Sequence, residues 1–442
     1  MQRAMRRGVW LGYDVQVDES WVFGGNDAAL GLGLNHLPYT AFCAPGTGEQ
    51  RLSVGIGACV LDLNEAAELL PERTRAALKQ PVLNALMELG AGAWAELRAA
   101  LQFLLSRQNR ERAALERALL PLRGLELRLP VASGDYTDFY ASREHAFRVG
   151  ELFRPEKPLL ENYEFVPIGY HGRGSSLVSS GTEILRPRGQ VRRGDSAEFQ
   201  PSGRLDYELE LGYFVGTGNR LGEPIPIEDA ARHLFGVSLL NDWSARDVQA
   251  WEYQPLGPFL GKSFASSISP WITPMAALAP FRCAAVTHPV GVLDYLFDTS
   301  DQAAGGVALS LQVALTTNAS RAAGLEAFRL SESETAGLFW TPAQMVAHHT
   351  SNGCNLRPGD LLGTGTVSGA ERTSAGCLLE LTQGGKQPLT LPNGELRSFL
   401  EDGDEVTLTG YAQAEAQMPI RLGQCRGRIL PAREYTAKTE PR

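Results

Sequence analysis

Hydrophobic and polar positions in this chain follow two periods, and the switch between them divides it. In Tyr207-Glu-Leu-Glu-Leu-Gly-Tyr-Phe-Val215 apolar and acidic positions alternate. A strand sends residues i and i+2 to one face, so Tyr207, Leu209 and Leu211 are expected to face a core while Glu208 and Glu210 point together the other way. Residues 8 to about 63 read as short strands and turns, with Arg51–Asp62 as a strand pair bent at its glycines. From Asn64 to about Leu120 the period becomes helical. Trp94, Leu97, Leu101 and Leu104 recur at spacings of three and four, which makes one apolar stripe of the core-packing kind. A short strand, Leu125–Leu129, lies between Pro121 and Pro130, and a domain boundary is expected near residue 130, giving domains 1–130 and 131–436. Beyond it glycine and proline recur about every ten residues. That spacing predicts a mainly β domain with short helices, its strands including Leu361–Thr366, Cys377–Thr382 and Glu405–Thr409.

Length and composition narrow the field. At 442 residues the chain is too long for one simple core, and 43% apolar with 21% charged residues is ordinary for a globular protein. A net charge of −9 argues against a nucleic-acid surface, and no apolar run reaches the length of a membrane span. The basic start Met1–Arg7 is followed by too few apolar residues for a signal peptide; it reads as a loose extension, or the true start is Met5. Cys43, Cys59, Cys283, Cys354, Cys377 and Cys425 are scattered without metal-site spacing, as expected of reduced core cysteines in a cytosolic protein.

Several apparent motifs fail on spacing. Gly257–Ser263 lacks one residue of a phosphate loop, Asp402-Gly-Asp404 lacks the rest of an EF-hand, and His348-His349 point different ways on any regular element. The Glu208/Glu210 strand and four further segments hold more promise. Glu208 and Glu210 alone fit a water-facing strand, but beside further acids they fit a cage for a hard divalent cation, since oxygen ligands favour calcium or magnesium. Gly134–Arg148 packs Asp138, Tyr140 and His145 together, and an imidazole is the natural general base, although a lone histidine is also often structural. In Leu239–Tyr253 an apolar strand ends at Asn241-Asp242. Ser244 and Asp247 resemble a capping box there, and Arg246, Gln249 and Tyr253 would share one face of the helix that follows. Arg246 and Gln249 would offer donors to an anion, or form a solvated face. Lys262 lies between aromatics in Phe259–Ser267, and Thr364–Gly369 precedes Glu380.

These segments together resemble the fumarylacetoacetase family. The resemblance rests on Gly134-Asp-Tyr-Thr-Asp-Phe-Tyr140, Pro167-Ile-Gly-Tyr-His-Gly-Arg173, Leu240-Asn-Asp-Trp-Ser-Ala-Arg-Asp247, Trp251–Ser263 and Asn352–Leu362. It runs over nearly the whole chain. It implies an N-terminal SH3-like barrel domain with helices, then a large β-rich roll or sandwich carrying catalysis, in a cytoplasmic homodimer. It implies a cation, Ca2+ or Mg2+, held by Asp138, Glu208, Glu210 and Asp242, and a weaker cation position at Asp242, Lys262 and Ser266, where the family usually carries threonine. No organic cofactor is implied. The base would be His145 oriented by Glu380; the oxyanion donors Arg246, Gln249 and Lys262; the substrate contacts Tyr140, Arg154, Tyr170, Gln249, Tyr253 and Thr366. The implied reaction is hydrolysis of a carbon–carbon bond in 4-fumarylacetoacetate, giving fumarate and acetoacetate, the last step of tyrosine and phenylalanine breakdown. Acylpyruvate hydrolases, decarboxylases and isomerases of the same superfamily share such a cage, and a calcium-binding protein without activity is the alternative from another class.

Overall fold

The computed structural model of the protein describes residues 19–434 apart from 111 and 416, so the basic start and the last residues of the expected second domain lie outside the described residues. The first element is a five-stranded antiparallel sheet in the order Leu119–Pro121, Cys59–Asp62, Gln50–Ile56, Tyr39–Cys43, Leu127–Arg128. The expected pair within Arg51–Asp62 is there, Ser53 opposite Asp62 and Ile56 opposite Cys59.

The helical stretch is broken rather than continuous, into Glu72–Leu78, Asn84–Glu88, Ala91–Leu105 and Ala113–Glu116. On the longest helix the buried stripe is Ala93, Leu97, Leu101 and Leu105. The expected Trp94 and Leu104 flank it half-buried, because a 3.6-residue period carries the seam on to Leu105.

Further along, an eight-stranded sheet forms the centre. Its main path runs Gly169–His171, Tyr136–Phe139, Leu361–Gly363, Leu209–Val215, Leu234–Asp242, Ser266–Ile268, Leu177–Ser179, and Thr273–Pro274 pairs beside Leu234–Asp242. A second sheet, Phe328–Glu334, Ser310–Thr316, Glu405–Ala412, Ile420–Leu430 and Ile184–Leu185, covers one face. Leu209, Leu211 and Tyr213 pack with Leu311, Val313, Leu408 and Leu422 in the core between them. The opposite face of the same strand carries Phe214, which packs with Phe235, Leu240, Leu361, Leu52 and Val54 in the core shared with the N-terminal sheet. One nine-residue run therefore serves three surfaces. Its odd positions build the main core, Phe214 joins the N-terminal part, and Glu208 and Glu210 face neither core nor water. Both glutamates are buried, at 5% and 0% exposure, so the water-facing reading is overturned.

Three local expectations are corrected. Cys377–Thr382 is not a strand: Leu378–Leu381 is a short helix, whose first N–H groups, from Leu378 and Leu379, donate to the Asp206 carboxylate at 2.8 and 3.0 Å. A buried carboxylate at that point offers the backbone a helix cap. The capping box at Ser244 is absent. Ser244 pairs with Asp206 in a two-residue ladder, and its hydroxyl donates to Asp242 O. Asp247 instead accepts from Ser202 Oγ at 2.6 Å and Gly203 N at 2.8 Å, and the helix Arg246–Glu252 starts from Ala245. The strand from Leu361 ends at Gly363 and leaves Thr364–Thr366 to the site. Among the described residues no helix is long and apolar enough to cross a membrane.

His36 ties the N-terminal segment to the central sheet. Its Nδ1 donates to Gly31 O, and its Nε2 shares a hydrogen bond with Thr273 Oγ1, each at 2.9 Å. Burial lowers its pKa from 6.5 to about 3, against the raising effect of the Gly31 bond and helped by Arg98. Between these two values the unfolded chain binds the extra proton. The stability this group contributes is therefore complete above pH 6.5 and is lost as pH falls towards 3. The expected cost at pH 4.5 is about 2–3 kcal/mol, and His36→Asn should flatten that part of a denaturant-derived stability–pH curve. An unchanged slope would remove His36 from the account of acid sensitivity.

Candidate active site

Three strands of the central sheet deliver one acidic cluster. Asp138 lies on Tyr136–Phe139, Glu210 on Leu209–Val215, and Asp242 ends Leu234–Asp242, one pair beyond Leu209 opposite Asn241. Glu208 just precedes its strand and is fixed by its N–H donating to Asn241 Oδ1 at 3.1 Å. One oxygen from each of the four carboxylates falls within 4.8 Å of the others, all buried. Between Asp138 and Glu210 runs the strand of Gly363, which pairs with Asp138 on one side. A Cβ there would meet Asp138 Oδ1 at 2.7 Å and Glu210 Oε2 at 3.0 Å. Glycine is what lets the two carboxylates converge across the intervening strand. Two residues on, Gly365 at φ +71° donates its N–H to Asp138 Oδ1 at 3.1 Å. Gly363→Ala should weaken divalent-cation binding about 10- to 100-fold, the usual effect of disturbing the groups that support metal ligands; isothermal titration with Mg2+ and Ca2+ measures it, and unchanged affinity would contradict this role for the glycine.

The cluster is only half compensated. Lys262 Nζ donates to Glu208 Oε2 and, at 2.9 Å, to Asp242 Oδ2. Arg246 binds Asp206 through Nε at 2.9 Å and Glu208 Oε1 through Nη1 at 2.8 Å. Burial would raise Glu208, but Lys262 and Arg246 hold it well below the usual carboxylate range. On the other side the lowering influence of Lys262, joined at Asp138 by the Tyr170 hydroxyl, is outweighed. Burial and the charge of Asp242 push Asp138 up to about 8, and burial with Asp138, Glu208 and Asp242 drives Glu210 higher than a free glutamate. Neither oxygen of Glu210 accepts a hydrogen bond. Two buried carboxylates facing two ion-paired ones, with an acceptor pair unfilled, are what an oxygen-ligated divalent cation would satisfy. The Tyr170 hydroxyl sits 2.8 Å from both Asp138 Oδ2 and Asp242 Oδ2, and Ser266 Oγ donates to Asp242 Oδ1 at 2.7 Å.

Beside the cluster stands a second constellation. The helix Arg143–Phe153 begins at Ser142, whose Oγ accepts from His145 N, so His145 sits in the first turn and is pinned there. His145 Nδ1 donates to Glu380 Oε1 at 2.6 Å. Ser368 Oγ at 2.8 Å and Arg148 Nη1 at 3.2 Å hold the same carboxylate. Burial would raise Glu380, but His145, Ser368 and Arg148 bring it down to about 2, so it stays ionised beside the imidazole. Tyr140 stands edge-on to His145 with ring centroids 5.4 Å apart, and it feels the charges of Glu380, Glu208, Arg154 and Arg246. Gln249 Oε1 accepts from Arg246 Nη1 at 3.2 Å, and Arg246 Nη2 is buried with no partner. The Thr366 hydroxyl and Arg154 Nε are likewise buried and unpartnered. Tyr253 caps the Arg246–Glu252 helix, half-buried, with its hydroxyl accepting from Gln254; none of its hydrogen bonds reaches the cluster.

Residues 135–430 match the family model described as the fumarylacetoacetate hydrolase C-terminal part, and residues 35–130 match the fumarylacetoacetase N-terminal one. The chain belongs to the fumarylacetoacetase family. The human fumarylacetoacetase is 44% identical over 410 residues, covering 90% of this chain and 96% of that protein. The Arabidopsis thaliana fumarylacetoacetase is 44% identical over 426 residues, covering 94% and 99%. Among solved structures, a fumarylacetoacetate hydrolase from Exiguobacterium antarcticum shares the fold at 17% identity and a TM-score of 0.50, over 90% of this chain and all of that one.

Some participants of this fumarylacetoacetase-family site escape sequence reasoning. Asp206 is missed although a signal was there, since it extends the acidic alternation by one step, to 206, 208 and 210. It joins Arg246 to the first turn of the helix that carries Glu380. Arg148 stands three residues after His145 on one helical face, and Ser368 lies inside the hydroxyl-rich run Thr364–Gly369. Gly363 had no signal, since a strand glycine declares its purpose only once its neighbours are known.

Proposed function

We propose that the protein hydrolyses the carbon–carbon bond of 4-fumarylacetoacetate to fumarate and acetoacetate, closing tyrosine and phenylalanine breakdown. The observation that carries this reading is the buried His145–Glu380 pair set beside a carboxylate cluster whose Glu210 has no donor. Asp138, Glu208, Glu210 and Asp242 would hold Ca2+ or Mg2+, which when bound would polarise the diketone oxygens and stabilise enolate charge. Lys262 Nζ and Ser266 Oγ both donate to Asp242, and these three residues would form the weaker cation position.

The chain's own groups do the rest. With Nδ1–H given to Glu380, Nε2 of His145 is free to take a proton from water as its oxygen attacks the carbonyl carbon beside the fumaryl double bond. Arg246, Gln249 and Lys262 supply donors where that carbonyl oxygen becomes an oxyanion; the idle Nη2 of Arg246 is one of them. The bond to the neighbouring carbon then breaks, its electron pair leaves on the acetoacetate carbon, and His145 returns the proton there. Arg154, Tyr140, Tyr170, Tyr253 and Thr366 hold the substrate. The same reading makes the enzyme a cytoplasmic homodimer, which the mass in solution tests. Incubation with fumarylacetoacetate, following loss of diketone absorbance with and without a chelator and added Ca2+ or Mg2+, tests the activity. Metal-dependent loss with release of fumarate is expected; no such loss would overturn the proposal.

A further inference from the structure

Glu380 Oε1 has a third neighbour that the hydrolytic reaction does not use. Cys377 Sγ lies 3.3 Å from it and is fully buried. His145, Cys377 and Glu380 each offer one donor atom, and these lie within 4.8 Å of one another. Nitrogen, thiol sulfur and carboxylate oxygen converging in one place form a zinc-type ligand set, in contrast to the all-oxygen cluster alongside. A tetrahedral ion with Zn–N of about 2.0 Å and Zn–S of about 2.3 Å separates its ligands by about 3.5 Å. Both separations lie inside that value, 2.6 Å from nitrogen to oxygen and 3.3 Å from sulfur to oxygen, so the three side chains would spread slightly to admit the ion. Among the described residues no other cysteine belongs to such a group of three.

We infer that His145, Cys377 and Glu380 form an inhibitory site for one thiophilic divalent cation, zinc or cadmium, distinct from the carboxylate cluster. Binding forms bonds from the ion to Sγ, Nδ1 and a Glu380 oxygen. The thiol proton passes to solvent, and the imidazole proton moves from Nδ1 to Nε2. Arg148 and Ser368 keep their hold on the carboxylate. An imidazole protonated at Nε2 can take no proton from water, so an ion here silences the base without touching the cluster. The inhibition rests on the function proposed above; the binding does not.

The test titrates Cd2+ into the whole protein in excess Mg2+, reading the ultraviolet cadmium–thiolate charge-transfer band and, separately, hydrolysis. One equivalent should give the band and abolish turnover. Cys377→Ser and Cys377→Ala should each lose the band, and the Cd2+ concentration that halves each variant's own activity should rise at least tenfold. His145→Ala should weaken the band's onset at least tenfold. A band of wild-type strength in both Cys377 variants would overturn the site, as would inhibition unchanged by either. A protein inactive on fumarylacetoacetate that still shows the Cys377-dependent band would instead overturn the function while leaving the site standing.

Discussion

Replacing His145 by alanine should lower kcat by between about a hundredfold and ten-thousandfold, the range in which a positioned general base contributes. The fold should survive. Glu380 would lose the imidazole but keep Ser368 Oγ at 2.8 Å, Arg148 Nη1 at 3.2 Å and Cys377 Sγ at 3.3 Å, so no buried charge is left bare. Destabilisation should stay within about 1–3 kcal/mol, the cost of one lost buried hydrogen bond. Substrate affinity should change little, because Arg154, the tyrosines and the cluster are untouched. Steady-state kinetics beside thermal unfolding separate these effects. Wild-type turnover in a folded variant would remove His145 as base, and a variant that fails to fold would show that the ring's packing against Tyr140 outweighs its chemistry. Glu380→Gln offers the finer comparison: the imidazole remains, its orienting charge does not, and the fall in kcat should be smaller and accompanied by a shifted pH–rate profile.

The two halves of the site differ in how far the sequence discloses them. The cluster has a local signature. A strand's two-residue period puts Glu208 and Glu210 on one side, and the same period reaches Asp206, whose pairing with Arg246 and the Leu378–Leu381 helix needs the third dimension. What the alternation leaves open is whether that side meets water, since an exposed strand face and a buried acidic cage look alike from the chain. The surface that buries the pair is made partly by Asp138 and Gly363, far away in sequence. The His145–Glu380 pair has no local signature at all, because 235 residues separate its members. Only resemblance to a family named it. Secondary structure around Glu380 misled for a related reason. In Cys377-Leu-Leu-Glu-Leu-Thr382 leucine and glutamate favour helix over strand, but a run of four is too short to declare it, and the helix is fixed by the distant Asp206 carboxylate that caps it.

The compensated and uncompensated sides of the cluster should answer oppositely to losing a charge. Glu208 is the partner of both Lys262 and Arg246. Glu208→Gln therefore leaves two buried cations short of their carboxylate, and breaking a buried pair from one side costs about 3–5 kcal/mol. Glu210 accepts nothing and is crowded by Asp138, Glu208 and Asp242. Glu210→Gln removes a repelled charge and adds an amide that can donate to those neighbours, so in the presence of a chelator this variant should be at least as stable as the parent. Both variants should lose cation affinity and hydrolysis, since each deletes a ligand. Added Ca2+ or Mg2+ at a thousand times the parent's Kd should stabilise the parent by about 4 kcal/mol and both variants far less. Unfolding in chelator and in metal, for three proteins, gives the whole pattern. If Glu210→Gln in chelator falls as far as Glu208→Gln, the cluster is balanced by something other than a cation, and the division between its two sides is wrong. If it holds or gains while hydrolysis disappears, the charge that destabilises the empty site is the charge that the reaction needs.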